Sequence, residues 1–301
     1  MGLLAEIPYP RIDPILLDFG AVKVRWYGIS YVMAFAAAYF VLRMLARRGR
    51  WPVPAAKVAD VLFWGILGVF LGGRIGYVLF YQIPMGDFEW SRIYRVWEGG
   101  MSFHGGLLGV VVAYLVFAWR TKTKPGELFD GLTLATPLGI LFVRVANFIN
   151  AELYGRVWDG PWAMRFPDYL NSCSVVDRKR VCGPEFWEPK RLMLENLRHP
   201  SQLYEAFFEG LVMYFVCYWL MLKRGWGGGM VSGAFLMGYG GLRFFIEFTR
   251  EPDEGLGFPY LDAFTQGQLL SLLMVLIGFV VYWLSRGWKQ KNPGLVEPPS
   301  A

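Results

Sequence analysis

The sequence carries little charge for its length, which excludes most classes of soluble protein. Only 18% of its 301 residues are Asp, Glu, Lys or Arg, whereas a soluble domain has about a quarter. Four long runs contain no charged residue at all, at 26–42, 101–119, 225–242 and 263–285. Each run approaches or exceeds the roughly 20 residues that cross a bilayer as a helix. A soluble enzyme, a nucleic-acid-binding module and a disordered tail are therefore excluded.

Histidine and cysteine are also scarce, which limits the available chemistry. The two histidines and three cysteines show no metal-ligand spacing, and no glycine-rich nucleotide loop follows a strand. We therefore predict neither a metal nor a cofactor. Cys217 lies within an apolar stretch and is expected to be a small buried side chain. Cys173 and Cys182 could pair, but pairing needs a geometry that the sequence does not specify.

Three weaker apolar stretches complete the predicted membrane domain. They lie at 61–83, 128–149 and 201–222, and each contains one or two ionisable residues. With the four uncharged runs they give seven spans. The predicted fold class is an all-α polytopic membrane protein with seven transmembrane helices. Residues 1–301 are expected to form a single integral membrane domain, with a small extracytoplasmic cap inserted at 151–200.

The positive residues of the short loops predict the orientation. Thirteen Lys and Arg follow the odd-numbered spans, against six in the opposite short segments. Because short positive loops stay on the cytoplasmic side, we expect the N-terminus outside and the C-terminus inside. The cap adds eight positive residues outside, but long loops cross a membrane largely regardless of charge.

Polar side chains inside the predicted spans are the candidates for function. An ionisable group at membrane depth costs about 2.5 kcal/mol or more and usually faces a polar cavity. At about 100° per residue, three spans each place three polar groups close to one face. The groups are Arg144, Asn147 and Glu152; Gln202, Glu205 and Glu209; and Tyr239, Arg243 and Glu247. A purely structural role, as ion pairs that help helices pack, stays open for any one pair.

Two arginines near the predicted outer interface suggest a site for an anion. The planar guanidinium of Arg144 or Arg243 can bind phosphate through two parallel hydrogen bonds, and the commonest phosphate in a bilayer is a lipid headgroup. His104 begins a segment with two following glycines at the outer end of the third span. Because histidine titrates near neutrality, His104 could remove a proton there.

Several motifs together resemble those of the prolipoprotein diacylglyceryl transferase family of bacterial membrane enzymes. The resemblance covers nearly the whole chain, and the stretch 144–156 is the most specific part. The matching segments are RWYG at 25–28, GGRIGY at 72–77, SFHGGL at 102–107, the stretch 144–156, HPSQLYE at 199–205 and GGLRFFIE at 240–247. The part of the cap between Gly155 and His199 matches no family pattern.

The resemblance implies an activity and a location. The family transfers the diacylglyceryl group of phosphatidylglycerol to the lipobox cysteine of a prolipoprotein signal peptide and releases glycerol phosphate. This first step of lipoprotein maturation takes place at the outer, periplasmic leaflet of the bacterial cytoplasmic (inner) membrane. The expected partners are therefore phosphatidylglycerol, the prolipoprotein and membrane lipids, with no nucleic acid.

The resemblance implies that certain residues are functionally important, namely Arg144, Asn147, Glu152, Gly155 and Arg243, with His104, Tyr27 and Tyr239 as contributors. The chemistry of the transfer then suggests their individual roles as hypotheses. Arg144 and Arg243 would stabilise the negative charge that grows on the departing phosphate, and Asn147 and Glu152 would orient the arginines or the headgroup. His104 is the candidate base for the substrate thiol. The predicted catalytic residues are thus Arg144, Arg243, His104, Glu152 and Asn147, and the predicted substrate-binding residues are Arg144, Arg243, Tyr27, Tyr239, Gly155 and Glu247.

Other classes of membrane protein remain alternatives. The main one is a transporter with an intramembrane path for an anion or a lipid, although no internal repeat of the kind that transporters show is present. A structural assembly subunit would use the same polar groups only for helix packing. An intramembrane protease is disfavoured because no convincing serine–base pair or membrane aspartate pair occurs.

Overall fold

The protein is mainly helical in a computed structural model that describes residues 7–10, 12–20, 22–84, 94, 99–167, 173–176, 179–182, 196–251 and 264–291. The long helices are α1 (Trp26–Arg47), α2 (Ala55–Gln82), α3 (Phe103–Thr121), α4 (Pro125–Ile149), α5 (Ser201–Lys223), α6 (Met230–Ile246) and α7 (Gln266–Lys291). Two antiparallel hairpins were not predicted. They pair β1 (Ile15–Asp18) with β2 (Lys23–Arg25) and β3 (Cys173–Val176) with β4 (Lys179–Cys182).

Six of these helices are long and apolar enough to cross a membrane. They are α1 to α5 and the segment Gln266–Gly287 of α7. The remaining predicted span corresponds to α6, which has 17 residues and is shorter than the other six. The all-α membrane fold is therefore confirmed in its coarse form, and the count of seven spans and the orientation stay predictions.

The start of α6 lies five residues later than the sequence predicted, at Met230 instead of residue 225. Gly225, Gly228 and Gly229 all have positive φ, a backbone conformation that does not continue a right-handed helix. The buried carboxylate of Asp130, from α4, then accepts hydrogen bonds of 2.8 Å from the backbone N–H groups of Gly229 and Ser232. These bonds satisfy donors that a helix start leaves free.

Helices α2 and α3 approach each other closely because glycines line their contact. A Cβ atom on Gly68 would lie 2.7 Å from the carbonyl oxygen of Gly109, and one on Gly76 would lie 2.6 Å from Cα of Gly105. Only glycine fits at such distances. Small residues at these spacings are a common helix-packing surface in membranes, where close backbone approach replaces hydrophobic burial as the source of attraction.

The outside of the helices is apolar. Large side chains such as Phe63, Phe70, Trp119 and Trp283 are more than half exposed, which suits contact with lipid rather than water. In the interior, a buried apolar cluster that includes Leu42 contains residues from each of the helices α1, α2, α3, α4, α5 and α6.

A second apolar cluster packs against the end of α4 and supports the polar site described below. Tyr9, Phe148, Ala151, Met164 and Phe166 form it. The Tyr9 hydroxyl donates a hydrogen bond of 2.6 Å to the carbonyl of Phe148, at the end of α4 where helix carbonyls lack partners. Tyr9 and the described first part of the cap are thereby fixed to the end of α4.

Candidate active site

The end of α4 begins the site with a chain of three polar side chains. A terminal nitrogen of Arg144 (Nη1) lies 3.5 Å from Oδ1 of Asn147, and Nδ2 of Asn147 donates a bond of 2.8 Å to Oε1 of Glu152. Asn150 donates to the same Glu152 oxygen at 3.3 Å. The structure therefore brings together the three side chains that the helical spacing placed near one face. Asn147 is buried, so its amide orients both neighbours.

The backbone on both sides of Glu152 is in an unusual conformation. Ala151 and Leu153 have φ of 54° and 57°, in the left-handed region that residues other than glycine rarely adopt. Two side chains of α5 hold this turn: Gln202 donates to the carbonyl of Glu152 at 2.7 Å, and Ser201 donates to that of Leu153 at 3.1 Å. Backbone strain that is held in this way is typical of functional sites.

Glu205, on α5, connects three arginines. Its Oε2 lies 2.5 Å from Nε of Arg144, and its Oε1 lies 3.0 Å from Nη1 of Arg243 and 2.8 Å from Nη1 of Arg250. Glu205 is completely buried. Arginines from α4, from α6 and from the segment after α6 therefore converge on one carboxylate. This convergence is the central feature of the site.

Glu247 extends the network from the end of α6. Its Oε2 lies 2.8 Å from Nη2 of Arg243 and 3.5 Å from Nε of Arg250. Its Oε1 accepts a hydrogen bond of 3.0 Å from the Thr265 hydroxyl, just before α7. Glu247 thus ties α6 to α7 next to the arginines.

Glu209 lies four residues after Glu205 and has a different environment. It is fully buried, and within the described part of the chain neither of its carboxylate oxygens has a hydrogen-bond partner. The nearest cation in an ion pair is Nη1 of Arg243, at 4.0 Å from Oε1. Both glutamates lie in the π-helical segment Glu205–Val212, a form that occurs mainly at functional sites.

The cap is joined to the site through Gly155 and Arg156. The N–H of Gly155 donates to the carbonyl of His199 at 2.9 Å, and that of Arg156 donates to the carbonyl of Thr249 at 2.9 Å. The Nε of Arg156 donates to the backbone carbonyl of Arg250 at 2.7 Å. A Cβ on Gly155 would lie 2.7 Å from Cβ of His199. Glycine at this position therefore allows the segment that follows α4, the segment before α5 and the segment after α6 to meet beside the arginines.

His199 packs within this junction. Its ring stacks on Trp158 with 4.1 Å between ring centroids, and its Nδ1 lies 3.2 Å from the hydroxyl of Tyr204. Partial burial lowers the pKa of His199, because the charged imidazolium loses hydration there. These contacts favour a structural role for this histidine.

The other predicted site residues lie at different distances from the network. Tyr239 and Tyr27 are close enough to Arg144 to interact with it electrostatically. His104 is exposed in the first turn of α3, with its ring 5.7 Å from that of Phe103. In the part of the chain that the structure describes, no hydrogen bond or ion pair connects His104 to the arginines. The structure thus assembles eight of the nine predicted site residues around one region and leaves His104 apart.

Sequence reasoning missed two members of the network. Glu205 was noted on a polar face of the fifth span but was not included in the predicted site, although its place at the end of the matching segment HPSQLYE was an available signal. Arg250 was counted among the positive residues of the short outer segments, beyond the sixth span that was predicted to hold Arg243 and Glu247. The helical segment continues through α6 and a 3₁₀ turn to Thr249, which places Arg250 beside Glu247. No cluster of three or more His, Cys, Asp or Glu able to hold a metal ion occurs among the described residues.

The fold and the site define a class, a multi-pass membrane protein with a buried arginine–glutamate network at one end of its helices. The family model for prolipoprotein diacylglyceryl transferase matches residues 14–284. The chain is 42% identical to the phosphatidylglycerol–prolipoprotein diacylglyceryl transferase of Pseudoalteromonas translucida, with 95% of this chain and 98% of the relative covered. It is 41% identical to the enzyme of the same name from Allorhizobium ampelinum, with 98% of each covered, and 41% identical to that of Burkholderia cenocepacia, with 93% and 97% covered.

The chain therefore belongs to the prolipoprotein diacylglyceryl transferase family, which confirms the resemblance found in the sequence. The transporter alternative is not favoured by this assignment.

Proposed function

We propose that this protein transfers the diacylglyceryl group of phosphatidylglycerol to the lipobox cysteine of a prolipoprotein, forming a thioether and releasing glycerol phosphate. The observation that carries the proposal is the convergence of Arg144 and Arg243, from two different helices, on the buried Glu205. The names of the relatives supply the two substrates. No step of the proposed reaction needs a metal or a cofactor.

The arginines suit the charge change of this reaction. The thiol sulfur attacks a glycerol carbon, the bond from that carbon to the phosphate oxygen breaks, and negative charge grows on the departing phosphate. Cations already fixed in a water-poor site stabilise such charge without rearranging, and losing one comparable donor costs about 10²–10³ in rate. Guanidinium groups also match phosphate oxygens through paired hydrogen bonds.

Arg144 is the arginine best able to accept a new anion. It contacts Glu205 through Nε and Asn147 through Nη1, and no hydrogen bond between described residues uses its Nη2. Arg243, in contrast, already uses both terminal nitrogens for Glu205 and Glu247. We therefore assign Arg144 direct contact with the phosphate and Arg243 a second cationic contact that Glu205 and Glu247 hold in place.

The remaining predicted residues take supporting roles in this proposal. Asn147 and Glu152 orient Arg144 and accept hydrogen bonds from the glycerol headgroup, Tyr27 and Tyr239 line the lipid side, and Gly155 allows the cap to close against the site. His104 removes the thiol proton, which requires the substrate thiol to lie between its exposed ring and the arginine network.

The topology is part of the proposal. Seven spans place the N-terminus outside and the C-terminus inside, so that the network faces the outer leaflet of the bacterial inner membrane. A 17-residue α6 is within the range that can cross a bilayer. Residues 1–301 form one membrane domain, and 151–200 form an extracytoplasmic cap within it.

The test is a reconstituted transfer reaction. Purified protein in vesicles that contain phosphatidylglycerol is incubated with a peptide carrying a lipobox cysteine, and mass spectrometry detects the diacylglyceryl thioether. We expect the product with the unaltered protein and with Arg43→Ala, since Arg43 lies near the opposite end of the bundle and bonds to Tyr39. We expect at least a 100-fold loss with Arg243→Ala, roughly the effect of removing one donor to a developing negative charge. Absence of the thioether with folded, unaltered protein would exclude the proposed reaction.

A further inference from the structure

Glu209 carries two polar atoms that the fold buries without satisfying them. Its side chain is 0% exposed on α5, and neither carboxylate oxygen has a hydrogen-bond partner among the described residues. No other side chain in the described part of the chain has two buried polar atoms in this state. A buried polar group without a partner costs stability. The contacts within the fold therefore do not explain a carboxylate at this depth.

The surroundings of Glu209 belong to the arginine site. Its Oε1 lies 4.0 Å from Nη1 of Arg243, which is beyond hydrogen-bond distance. Arg144 and Tyr239 are also close enough to interact with it electrostatically. The side chains on which the proposed function places the phosphate and the lipid thus lie around Glu209.

Close packing of α5 against α4 fixes the position of Glu209. A Cβ atom on the next residue, Gly210, would lie 2.9 Å from Cα of Leu141 and 2.8 Å from its Cβ, so only glycine fits there. Leu141 precedes Arg144 by three residues and is its neighbour on the surface of α4. The carboxylate and the guanidinium are therefore held near each other before any substrate binds, which is the preorganisation that a binding site needs.

We propose that Glu209 accepts hydrogen bonds from the hydroxyl groups of the glycerol headgroup and thereby selects the lipid substrate. The inference rests on the proposed function, which takes phosphatidylglycerol as the substrate and assigns its phosphate to Arg144 and Arg243. A glycerol headgroup carries one hydroxyl on each of the two carbons beyond its phosphate ester. A phosphate held by the two arginines therefore brings these donors next to Glu209, whose two oxygens can accept them.

This contact differs from those that Asn147 and Glu152 make in the proposed function. Those two side chains are already joined by a hydrogen bond of 2.8 Å, whereas both oxygens of Glu209 lack a partner among the described residues. A site that binds a substrate hydroxyl discriminates against an analogue without it, because the buried acceptor is then left unpaired. Glu209 is therefore the residue that distinguishes a headgroup with hydroxyls from one without them.

The test compares two lipids that differ only in the headgroup hydroxyls. Phosphatidylglycerol and phosphatidyl-1-propanol have the same phosphate ester and give the same thioether, so one assay measures both. Each is supplied at the same surface fraction in phosphatidylcholine vesicles, and the initial rate of thioether formation is recorded. We expect the unaltered protein to prefer phosphatidylglycerol by at least about 10-fold, and Glu209→Met to lose about 10-fold of that preference, roughly the contribution of one hydrogen bond to a carboxylate.

Two further variants make the comparison specific. Glu209→Gln keeps the shape of the side chain and one acceptor oxygen, so we expect a smaller loss of preference, and it serves if Glu209→Met does not fold. Gln82→Met is the matched control. Gln82, on α2, is also buried with an unpartnered Oε1, but no hydrogen bond or ion pair between described residues links it to the arginines. Its replacement should leave the lipid preference unchanged.

The two lipids separate failure of this inference from failure of the proposed function. An unaltered protein that uses both lipids equally well, or Glu209 variants that slow both lipids by the same factor, would refute the headgroup contact while transfer from phosphatidylglycerol still supports the proposed function. Folded, unaltered protein that forms no thioether from phosphatidylglycerol would overturn the proposed function and this inference together.

Discussion

Two glutamates on one helix allow the effect of breaking ion pairs to be separated from the effect of replacing a buried carboxylate. Glu205 and Glu209 lie four residues apart on α5, and their side chains are only 1% and 0% exposed. Glu205 contacts three arginines within 3.0 Å, whereas Glu209 accepts no hydrogen bond from any described residue. The changes Glu205→Gln and Glu209→Gln alter shape equally little and remove one carboxylate each. Glu205→Gln breaks close ion pairs with three arginines, whereas the only ion pair of Glu209 among the described residues is the 4.0 Å contact with Arg243.

The structure sets the expected magnitudes. Removing one partner of a buried ion pair costs about 3–5 kcal/mol, because the remaining charge stays buried without compensation. Arg144 loses its only carboxylate contact within 4 Å among the described residues when Glu205 is replaced, so we expect Glu205→Gln to lose about 3 kcal/mol of unfolding free energy. At roughly 2–4 °C per kcal/mol, the apparent Tm falls by about 10 °C. Glu209→Gln should not lower it.

Thermal unfolding in detergent, followed by intrinsic fluorescence, measures both variants alongside the unaltered protein. Transfer activity should fall with Glu205→Gln, because Arg144 and Arg243 lose the carboxylate that both contact. An equal loss of Tm in both variants would refute the reasoning, since burial of a polar group at that depth, and not the ion pairs, would then determine the cost.

Three further predictions concern the edges of the site. Gly155→Ala should abolish most transfer activity, because its Cβ would lie 2.7 Å from that of His199, whereas Gly241→Ala, with open space around it, should not; the peptide-transfer assay compares them. Tyr9→Phe removes hydrogen bonds to two carbonyls at the end of α4, so we expect a loss of about 1 kcal/mol and a Tm lower by a few degrees. Burial lowers the pKa of His199, so the unfolded chain binds a proton first and stability falls as pH drops below about 6.5. His199→Gln should weaken this pH dependence of Tm, and an unchanged dependence would exclude His199 as its source.

The helices were largely predictable from the sequence because bilayer spans need long apolar segments. The uncharged runs at 26–42 and 101–119 correspond to α1 and α3. The start of α6 was placed too early because hydropathy does not distinguish glycines that end a helix from helical residues. The positive φ of Gly225, Gly228 and Gly229 excludes these three from a right-handed helix. The hairpin of β1 and β2 was missed because its strands are only four and three residues long.

The site was predictable to the extent that it depends on helical spacing. Arg144 and Asn147 are neighbours by helical spacing along α4, and Arg243 and Glu247 are neighbours at the end of α6. The structure shows both contacts. The role of Glu205 was not predictable in the same way, because it joins arginines that lie 61 and 38 residues away in the sequence. Such pairings depend on how α4, α5 and α6 pack, and a single sequence does not contain that information.

In the proposed reaction the network has two requirements to satisfy, insertion into the membrane and binding of an anion, and a change at Arg144 distinguishes them. Each buried arginine is expensive in lipid unless a carboxylate accompanies it, so Glu205 is needed for the folded state before any substrate arrives. Arg144→Lys keeps the charge and therefore the first requirement, but an ammonium group lacks the planar fork that binds Glu205 and phosphate at the same time. We expect normal membrane insertion, a Tm within a few degrees of the unaltered protein, and a transfer rate lower by about 10²–10³. Near-normal transfer by Arg144→Lys, measured as thioether formed per minute, would mean that charge alone is sufficient and that paired hydrogen bonds to phosphate are not part of the reaction.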